Sequence, residues 1–493
     1  MKNIKGHFIS SIAYPIAEYS EKRTVRKKCR EISEYYQLPF QERKKIAFEK
    51  LCKRLEFSKI HVPYYRDLFQ SIRFDPEKLR RDPNYLSDLP YLTKDIIREQ
   101  GDRLLSRPLH ELRHHVRKTG GSTGLSCFIY YDQEALDYSA AITLYARKSI
   151  GKLHHHSELH FASRFLDSFP LRDRMREWFK CFAMNRSNIF FDSLDDSALD
   201  RIWSVLKKRA PRLVHGHPST LYALACYVAK RQEKTEAFNI FESSGEVLDP
   251  HMRAKIADTF SCKVVDRYGL AEFGVIGYQT KETSDVQVFD SEGWMETGSH
   301  DFPEELVFTG FRNQLMPLIR YRMGDMGELQ ETQSGLHIVR LLGRIHDIVT
   351  LGGRQYPTHY IQDVLDRIGG VQEFQIDLRQ AAPRLLIVPE SSAQLNQISL
   401  RLDKAHWFKG MELCFIGHKD LIRVGHQAKF RHLVLYSNDL KSREFGKEAP
   451  QVLSGEADAE AAKLKKFSDG GGTKFGDCPT MPKTDFSSHL GIS

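Results

Sequence analysis

The sequence lacks several features that define specialised classes of protein. It has no apolar run long enough to span a bilayer, and its first residues contain no sustained apolar segment followed by a small-residue cleavage site. The eight cysteines are scattered along the chain without a close pair, which argues against a disulfide framework and a cysteine-based zinc site. These absences predict a cytoplasmic protein with free thiols.

The excess of positive charge is small for a chain of this size. The 493 residues contain 73 Lys and Arg against 64 Asp and Glu, a net charge of +9. Much of the excess lies in two early stretches that also carry apolar residues at helical spacing, a pattern typical of the solvated faces of amphipathic helices. No aromatic platform or recognised motif accompanies the charge, so nucleic-acid binding is not expected. The stretches contain Lys22, Arg23, Arg26, Lys27, Lys28 and Arg30, then Arg43, Lys44, Lys45, Lys50, Lys53 and Arg54, with Ile46, Leu51 and Leu55 among the apolar positions.

The order of apolar patterns predicts an α/β fold. Residues 1 to 100 look mainly helical, with Thr93 as the N-cap of a helix through Arg98. Beyond them, short apolar strands alternate with helical patterns, as in a strand, turn and helix over 211–231 and a helix and strand over 251–269. This alternation favours a largely parallel sheet. The run His154–His156 is expected to be a polar turn rather than a metal site, because consecutive side chains point in different directions.

Two changes in composition divide the chain into three parts. At "LLGRIHDIVTLGGRQYP" a polar, glycine-marked strand pair leads into a smaller α+β segment. Beyond Leu440 large apolar residues are too few to offset the entropy of ordering the chain. We therefore expect a large domain over 1–342, with a mainly helical lead-in over 1–100, a small domain over 343–440 and a disordered tail over 441–493.

A glycine-rich loop is the first candidate binding element, in "KTGGSTGLSCFIYYD" at 118–132. Its backbone N–H groups can converge on an anion and its hydroxyl groups add donors, which suits phosphate. The loop fits neither the Walker pattern, since Leu125 follows Gly124, nor the dinucleotide fingerprint, since Thr119 stands where glycine is needed. An ordinary turn between strands is the alternative. The apolar run after the loop, from Cys127 to Tyr131, is expected to be a buried strand.

Four further motifs follow the loop in order. They are "SSGEVLDPHMR" at 243–253, "RYGLAEFG" at 267–274, "YRMGDMGEL" at 321–329 and "GRIHDIVTLGGRQYPTHYI" at 343–361. Together the five segments resemble the adenylate-forming superfamily, which contains acyl- and aryl-CoA synthetases. The segments "HVPYYR" at 61–66 and "LPYLTKDIIRE" at 89–99 resemble its phenylacetate-CoA ligase-like branch, which includes capsule-biosynthesis relatives. The resemblance spans residues 60–435.

The resemblance implies a reaction in two halves and a role for each motif. A carboxylate attacks the α-phosphorus of ATP to give an acyl-AMP and pyrophosphate, and the acyl group then passes to coenzyme A. Glu272 is implied as the ligand of Mg²⁺, Asp325 as the acceptor of ribose hydroxyls, and Arg344 as a catalytic ribose and phosphate contact. The glycine loop is implied to hold the β- and γ-phosphates, and the adenine pocket is implied to lie between two motifs. The loop residues are Thr119, Gly120, Gly121, Ser122, Thr123 and Gly124, and the pocket residues are Tyr268 and Gly269 on one wall and Ser244, Gly245 and Glu246 on the other.

The resemblance also implies that the small domain is mobile and carries a catalytic lysine. The segment "GHQAKFRHL" places Lys429 where the branch has Gly-Lys-Phe-Arg, with Ala428 in place of the glycine. At the hinge the family has Asp or Lys two residues after the arginine, and this chain has His346. A hinge needs only to absorb a change in the backbone, so His346 is the predicted pivot.

Each of these interpretations has an alternative. Glu272 could be a surface charge, Asp325 a turn residue, and Arg344 the partner of Asp347 in a structural ion pair. The acyl group could instead pass to an amine or to the thiol of a carrier protein, or the chain could be a non-catalytic relative that serves in polysaccharide or envelope assembly. The pocket for a small-molecule carboxylate is expected in 159–173 and 215–222, where Arg164 and Arg172 could face either a polar substrate or solvent.

Overall fold

The computed structural model describes most of the chain from residue 2 to residue 434. Three predicted features lie outside the described residues: the glycine loop at 119–124, the pivot His346 and the tail over 441–493. The gaps in the described range are 119–126, 163–170, 192–193, 195, 232–235, 281–284, 299–304, 345–347, 352–353, 358–360, 362–364, 366–367, 369, 381, 390–394, 406–410 and 425–428.

Helices fill the first hundred residues, as the sequence predicts. Thr93 is confirmed as an N-cap, because its hydroxyl oxygen accepts the N–H of Ile96 at 3.3 Å at the start of a helix. The helices are α1 (Lys2–Phe8), which continues through a π-helical turn (Ile9–Ala13) into α2 (Tyr14–Ser20), then α3 (Val25–Tyr35), α4 (Phe40–His61), α5 (Pro63–Ser71), α6 (Pro76–Leu79) and α7 (Lys94–Gln100). Short 3₁₀ turns cover Pro83–Asp88, Gly101–Leu104 and Leu109–Glu111.

The long helix α4 corrects one expectation about the basic stretches. Leu51 and Leu55 are fully buried, but Ile46 is at the surface, and Arg43 and Arg54 are buried instead of solvated. The guanidinium of Arg54 donates to backbone carbonyl groups at 311 and 313, and that of Arg43 donates to a carboxylate and a carbonyl group at 290 and 334. Since a buried guanidinium must be hydrogen-bonded to offset its desolvation, these contacts explain why α4 tolerates two inward arginines.

An eleven-stranded sheet organises residues 158–344. One half is parallel because a helix connects each successive strand, and the other half is antiparallel because its strands follow one another without intervening helices. The expected parallel sheet is therefore confirmed for the first half only, and the whole sheet is mixed. The strands, in spatial order, are β10 (Gly293–Thr297), β11 (Glu305–Gly310), β12 (Tyr321–Thr332), β13 (Gly335–Arg344), β9 (Val286–Val288), β8 (Gly274–Tyr278), β7 (Lys263–Leu270), β6 (Ile240–Ser243), β5 (Leu213–Gly216), β3 (Glu158–Ala162) and β4 (Arg186–Phe190).

The helices of the parallel half confirm the predicted units. The unit over 211–231 contains β5, a break at His217 and then a helix, and the unit over 251–269 contains a helix followed by β7. The helices are α8 (Gln133–Ser149), α9 (Leu171–Ala183), α10 (Asp196–Arg209), α11 (Pro218–Lys230) and α12 (Pro250–Phe260). The predicted turn at His154–His156 is also confirmed.

The strands that flank the glycine loop form a separate antiparallel hairpin, β1 (His114–Lys118) and β2 (Phe128–Asp132). Ile129 and Tyr131 are buried, but Phe128 is 52% exposed. The expectation of a wholly buried strand is therefore wrong for one face, because an antiparallel pair can rest one face on a core and leave the other in water.

The C-terminal part has a core of its own, formed by residues from 361 to 433. A hairpin, β14 (Ile348–Leu351) and β15 (Arg354–Pro357), confirms the predicted glycine-marked strand pair. A four-stranded sheet follows, in the order β18 (Glu412–Phe415), β17 (Arg384–Pro389), β16 (Val371–Asp377) and β21 (Leu433–Val434), with helix α13 (Leu395–Ala405) and a small pair, β19 (Arg423–Val424) and β20 (Lys429–Phe430). The domain boundary at 342/343 and the mobility of this part stay predictions.

Two further expectations can be compared with the described residues. None of their helices combines the length and the apolar character needed to cross a bilayer. Seven of the eight cysteines lie within the described ranges, and none of the seven is in a disulfide, as predicted.

Candidate active site

Two hydrogen bonds join the segment at 268–272 to the segment at 321–325. In each bond the tyrosine of one segment donates to the carboxylate of the other. The hydroxyl of Tyr268 donates to Asp325 Oδ2 over 2.8 Å, and the hydroxyl of Tyr321 donates to Glu272 Oε1 over 2.7 Å. Strands β7 and β12 are not neighbours in the sheet, so the curvature of its antiparallel half must bring these two segments together. All four side chains are buried. Three predicted site residues, Tyr268, Glu272 and Asp325, thus meet at one place.

The Ser-Gly-Glu segment leaves β6 next to this place. The Oγ atom of Ser244 accepts a hydrogen bond from Arg267 Nη1 at 3.0 Å, and Arg267 directly precedes Tyr268. Gly245 has φ of +87°, a left-handed conformation that favours glycine and turns the chain sharply. Glu246 then accepts the backbone N–H of Ser219, at the start of α11, at 3.3 Å. The two predicted walls of the nucleotide pocket are therefore connected by a direct contact.

The hairpin that carries the glycine loop is attached to the turn that carries Glu272. The hydroxyl of Tyr131 donates to the carbonyl oxygen of Ala271 over 2.7 Å. The guanidinium of Arg117 lies over the ring of Tyr131, 4.6 Å from its centroid. Tyr131 thus fastens β2 to the residue that precedes Glu272, and Arg117 of β1 packs on Tyr131. The loop itself lies outside the described residues.

The backbone places Arg344 directly opposite Asp325 as a partner in the antiparallel ladder of β12 and β13. Lys429 begins β20, where it is the partner of Val424. Three residues after Lys429, the side chain of His432 contacts the loop that connects β6 to α12. Its Nε2 atom lies 3.3 Å from Asp249 Oδ2. Asp249 follows the Ser-Gly-Glu segment by three residues. The residues that directly follow the strand of Lys429 therefore contact the segment that carries the Ser-Gly-Glu motif.

Comparison with known proteins adds to this geometry. No protein-family model matches the chain. Protein CapK of Staphylococcus aureus is 24% identical over 359 residues, which cover 71% of this chain and 76% of that protein. Acyl-CoA ligase lcsD of Purpureocillium lilacinum is 23% identical over 265 residues, which cover 46% of this chain and 64% of that protein.

Among solved structures, 2-hydroxyisobutyryl-CoA ligase in its postadenylation state superposes with a TM-score of 0.63 at 17% identity, covering 83% of this chain and 92% of that one. The same enzyme in its thioesterification state, with CoA, superposes with a TM-score of 0.52 at 18% identity, over 83% and 93% of the two chains. This chain has the adenylate-forming fold. The resemblance inferred from the five motifs is thereby confirmed at the level of the fold.

Within the adenylate-forming fold, His432 sits in a cluster of charges between the two parts of the chain. Its Nδ1 atom lies 3.7 Å from Glu373 Oε1 and its ring stacks on Phe374. Burial lowers the pKa of His432, but the hydrogen bond to Asp249 and the charges of Glu373 and Asp249 outweigh burial and raise the pKa to about 9. Burial raises the pKa of Glu373 to about 7, against the opposing charge of His432. His432 therefore carries a positive charge at neutral pH.

A second cluster of charges, which sequence reasoning missed, lies inside the parallel half of the sheet. Arg147 on α8 donates to Glu242 at 2.6 Å and to Glu158 at 2.9 Å, and all three side chains are at most 3% exposed. Glu158 also binds Lys152 at 2.6 Å and Arg186 at 2.7 Å. Burial alone would raise the pKa of Glu158, but the three cations outweigh it and hold the pKa well below its ordinary value. The only hint of this cluster in the sequence motifs was the position of Glu242, three residues before Gly245.

Two histidines complete this cluster where the acyl pocket is predicted. His160 and His215 lie on adjacent parallel strands with ring centroids 4.7 Å apart. Burial lowers the pKa of both imidazoles, and the charge of Arg186 lowers that of His160 further, so both are neutral at pH 7. Of the two arginines considered for the pocket, Arg172 is exposed to solvent and Arg164 lies outside the described residues.

Among the described residues there is no group of three or more His, Cys, Asp or Glu side chains arranged to hold a metal ion. The predicted Mg²⁺ ligand Glu272 is therefore not part of such a group in the described part of the chain. This suits Mg²⁺, which keeps several waters and is bound in nucleotide sites through one or two carboxylates plus substrate phosphates.

Proposed function

We propose that the chain is an ATP-dependent carboxylate ligase that forms an acyl-AMP and then transfers the acyl group. The observation that carries the proposal is the reciprocal pairing of 268–272 with 321–325. It gathers two aromatic rings and two carboxylates beside the Ser-Gly-Glu segment, and the adenylate-forming fold supports the same assignment.

Asp325 is proposed to accept the hydroxyl groups of the ribose, and Tyr268 to lie against adenine. Because the Tyr268 hydroxyl donates to Oδ2, it fixes the orientation of the carboxylate that is proposed to meet the sugar. Arg344, opposite Asp325 in the ladder, is proposed to contact the ribose and the phosphates from the next strand.

Glu272 is proposed to bind Mg²⁺ through one oxygen while Tyr321 holds the other. A hard carboxylate oxygen in a buried turn fits this ion, and the other ligands would be water and phosphate. When bound, Mg²⁺ supplies positive charge that offsets the charge developing on the phosphoryl oxygens. The glycine loop, attached to the same turn through Tyr131, is proposed to hold the β- and γ-phosphates with its backbone N–H groups.

Lys429 is proposed to donate to the attacking carboxylate and the α-phosphate. The contact between His432 and Asp249 supports this assignment, because it holds the segment of Lys429 near the Ser-Gly-Glu motif. The better superposition on a postadenylation state than on a thioesterification state is consistent with an arrangement suited to the first half-reaction. Release of that contact and rotation at His346 would then carry Lys429 away for acyl transfer.

Coenzyme A is proposed as the acyl acceptor, since the structural relatives named above are CoA ligases. The similarity to CapK keeps a second acceptor open, an amine or the thiol of a carrier protein. Both acceptors require the acyl-AMP, whereas a non-catalytic relative would not form it. A cytoplasmic location is part of the proposal.

Two measurements test the proposal. Saturation with ATP and Mg²⁺ at a hundred times the dissociation constant should stabilise the fold by about 2.7 kcal/mol, visible as a rise in the unfolding temperature. Release of pyrophosphate should then depend on a carboxylic acid from a panel, and acyl transfer from the product to coenzyme A is scored separately. Asp325→Ala is the control that should lose the thermal shift. A chain that binds ATP but releases no pyrophosphate with any acid would support the non-catalytic alternative.

A further inference from the structure

The first helical run exposes a continuous apolar stripe. The run comprises α1, the π-helical turn and α2, and its stripe consists of Ile4, Phe8, Ile12, Ile16 and Tyr19. These side chains are 74%, 51%, 47%, 63% and 87% exposed, in that order. The opposite face of the run is also largely apolar, with Ile9 and Tyr14 packed into the body of the protein. A surface helix ordinarily directs its apolar residues inward only, so the outward stripe calls for a partner.

The backbone keeps this stripe straight and facing outward. Most residues of the stripe are four positions apart, which is slightly more than one turn of an α-helix. In a regular α-helix the stripe would therefore move gradually around the helix axis. The π-helical turn at Ile9–Ala13 is wound more loosely and reverses part of this drift. Gly6 passes so close to the carbonyl oxygen of His155 that a side chain there would collide. This close approach fixes the inner face of the run against the protein.

Helix α9 packs beside the π-helical turn and also exposes apolar side chains. Leu171, Met175, Trp178 and Phe179 are between 54% and 71% exposed, and their spacing places them on one face of the helix. The two neighbouring elements thus carry nine exposed large apolar side chains, out of fifteen found among the described residues. We call these nine residues the apolar face.

Positive charge surrounds the apolar face. Residues 4–30 contain seven Lys and Arg against two Asp and Glu, and α9 contains four against two. Glu18, one of the two acidic residues within 4–30, is buried and forms an ion pair with Arg26. Beside it, between α2 and α3, a groove of about 530 Å³ is lined by Arg23, Arg26, Lys27 and Arg30 together with Glu18 and Thr24. Arg23 and Arg26 are paired with Asp137 and Glu18, so the charge that the groove offers to a phosphate-bearing headgroup is that of Lys27 and Arg30.

We propose that the apolar face lies on an anionic membrane surface, with its apolar side chains at the level of the acyl chains and the surrounding cations on the lipid phosphates. Large apolar and aromatic side chains flanked by Lys and Arg are what an interfacial helix requires. A second copy of the chain fits less well, because an isologous contact would bring two positively charged surfaces together. The partner is therefore a bilayer that contains acidic phospholipid, and this inference does not depend on the proposed adenylation.

Cosedimentation of the full chain with vesicles tests this inference. Binding to vesicles of phosphatidylcholine mixed with phosphatidylglycerol should be about tenfold or more tighter than binding to phosphatidylcholine alone, and should weaken as salt screens the cations. The double variant Phe8→Ser, Ile16→Ser should lose about tenfold or more in affinity, since two large apolar side chains no longer enter the bilayer. Lys27→Glu with Arg30→Glu should remove the preference for phosphatidylglycerol.

A matched control is available on other helices of the same region. Ile60 and Ile72 are 66% and 41% exposed, so Ile60→Ser with Ile72→Ser removes similar apolar area away from the apolar face and should leave binding unchanged. Unfolding temperatures of all variants show whether each remains folded. Trp178 is 61% exposed, so the tryptophan emission of the chain should shift to the blue on binding, and this shift should be absent in Trp178→Phe.

Several results would overturn the inference. The first is equal binding to neutral and anionic vesicles, or no binding to either. The second is an equal loss in the Ile60 and Ile72 control. The third is a concentration-dependent dimer in light scattering that Phe8→Ser with Ile16→Ser abolishes, which would assign the apolar face to a second copy of the chain.

Discussion

The hydroxyl of Tyr321 donates to Glu272 Oε1 over 2.7 Å, although the two residues are 49 positions apart in sequence. A strand of the antiparallel half of the sheet therefore sets the orientation of the proposed Mg²⁺ ligand. Glu272→Gln keeps an acceptor for Tyr321 but removes a charge from the metal. We expect pyrophosphate release to fall by about 10²–10³, with an unchanged unfolding temperature.

The same hydrogen bond can also be tested by changing its donor, which should reduce activity less. Tyr321→Phe removes one hydrogen bond, worth about 1 kcal/mol, so activity should fall by less than about tenfold and the Mg²⁺ concentration for half-maximal rate should rise. The measurement is the Mg²⁺ dependence of pyrophosphate release in both variants. An unaltered Mg²⁺ dependence in Glu272→Gln would remove Glu272 from the metal site.

The pair of Asp325 and Tyr268 predicts how the chain distinguishes ribose from deoxyribose. A hydrogen bond to a charged acceptor contributes about 1.5–3 kcal/mol, so ATP should be used about 10–100 times better than its 2′- or 3′-deoxy analogue. Asp325→Ala should lose most of this preference, whereas Tyr268→Phe should retain part of it because the carboxylate is still present. Initial rates with ATP and both deoxy analogues give the comparison. Undiminished discrimination in Asp325→Ala would contradict the ribose assignment.

Lys429 should act in only one half-reaction. The charge to which it is proposed to donate develops when the carboxylate attacks phosphorus, and the loss of one preorganised donor costs about 10²–10³ in rate. Lys429→Ala should therefore lose pyrophosphate release but still transfer the acyl group from a synthetic acyl-AMP. Lys419→Ala, an exposed lysine of the same part of the chain, is the matched control. Equal losses in both assays would exclude Lys429 from the catalytic residues.

The contact between His432 and Asp249 should weaken as the pH rises. The ordinary pKa of 6.5 is raised to about 9 in the fold, so between these values the native state holds a proton that the unfolded chain has released. Stability from this group is thus complete below pH 6.5 and is lost as the pH rises through 9, a change of up to about 3 kcal/mol. The pKa of Glu373 is raised from 4.5 to about 7, so the stability contributed by its proton is also lost as the pH rises, but at lower pH.

Unfolding temperatures measured against pH test this relationship. His432→Asn should differ most from the unmodified chain near pH 6 and least above pH 9. His110→Asn, an exposed histidine in a 3₁₀ turn, should show no such trend. A constant difference across the range would mean that the charge of His432 does not hold the two parts together.

Glu242 should be important for stability rather than for a single chemical step. Glu242→Gln leaves the buried guanidinium of Arg147 without one of its two carboxylates, which costs about 3–5 kcal/mol. Glu328→Gln, on an exposed position of β12, should cost less than about 0.5 kcal/mol. Chemical unfolding of both variants provides the comparison, and similar values would show that the buried cluster does not support the fold.

The sequence predicted three residues that the fold brings together, but not what holds them there. Tyr268, Glu272 and Asp325 could be named because short motifs carry them, and the helix begun by Thr93 could be predicted because capping is a local interaction. The partner Tyr321 could not be predicted, since its bond to Glu272 depends on the curvature of a sheet across strands that are not neighbours.

Buried charge was the least predictable feature. Arg43 and Arg54 occur in a basic stretch that reads as solvated, and only the positions of distant carbonyl groups bring them inside. Arg147 and Glu242 are 95 residues apart and have no motif in common. In each case long-range packing, which local sequence patterns do not encode, decides whether a charged side chain meets water or a partner.

The buried cluster also limits how this chain can diversify. Glu158 and Glu242 share Arg147, so the replacement of any one of the three removes at least one ion pair from a buried network, and the three positions should be inherited as a unit. His160 Nε2 lies 3.2 Å from Glu158 Oε1 and His215 Nδ1 lies 3.5 Å from Glu242 Oε1, but the cations around the two carboxylates, and not the neutral imidazoles, balance the buried charge. Arg172 lies at the surface, outside this cluster. If the proposed function and the predicted acyl pocket hold, descendants with a new substrate are expected to keep the three charged residues and to vary the imidazoles. Directed evolution should therefore place its libraries at 160 and 215, not at 147, 158 or 242.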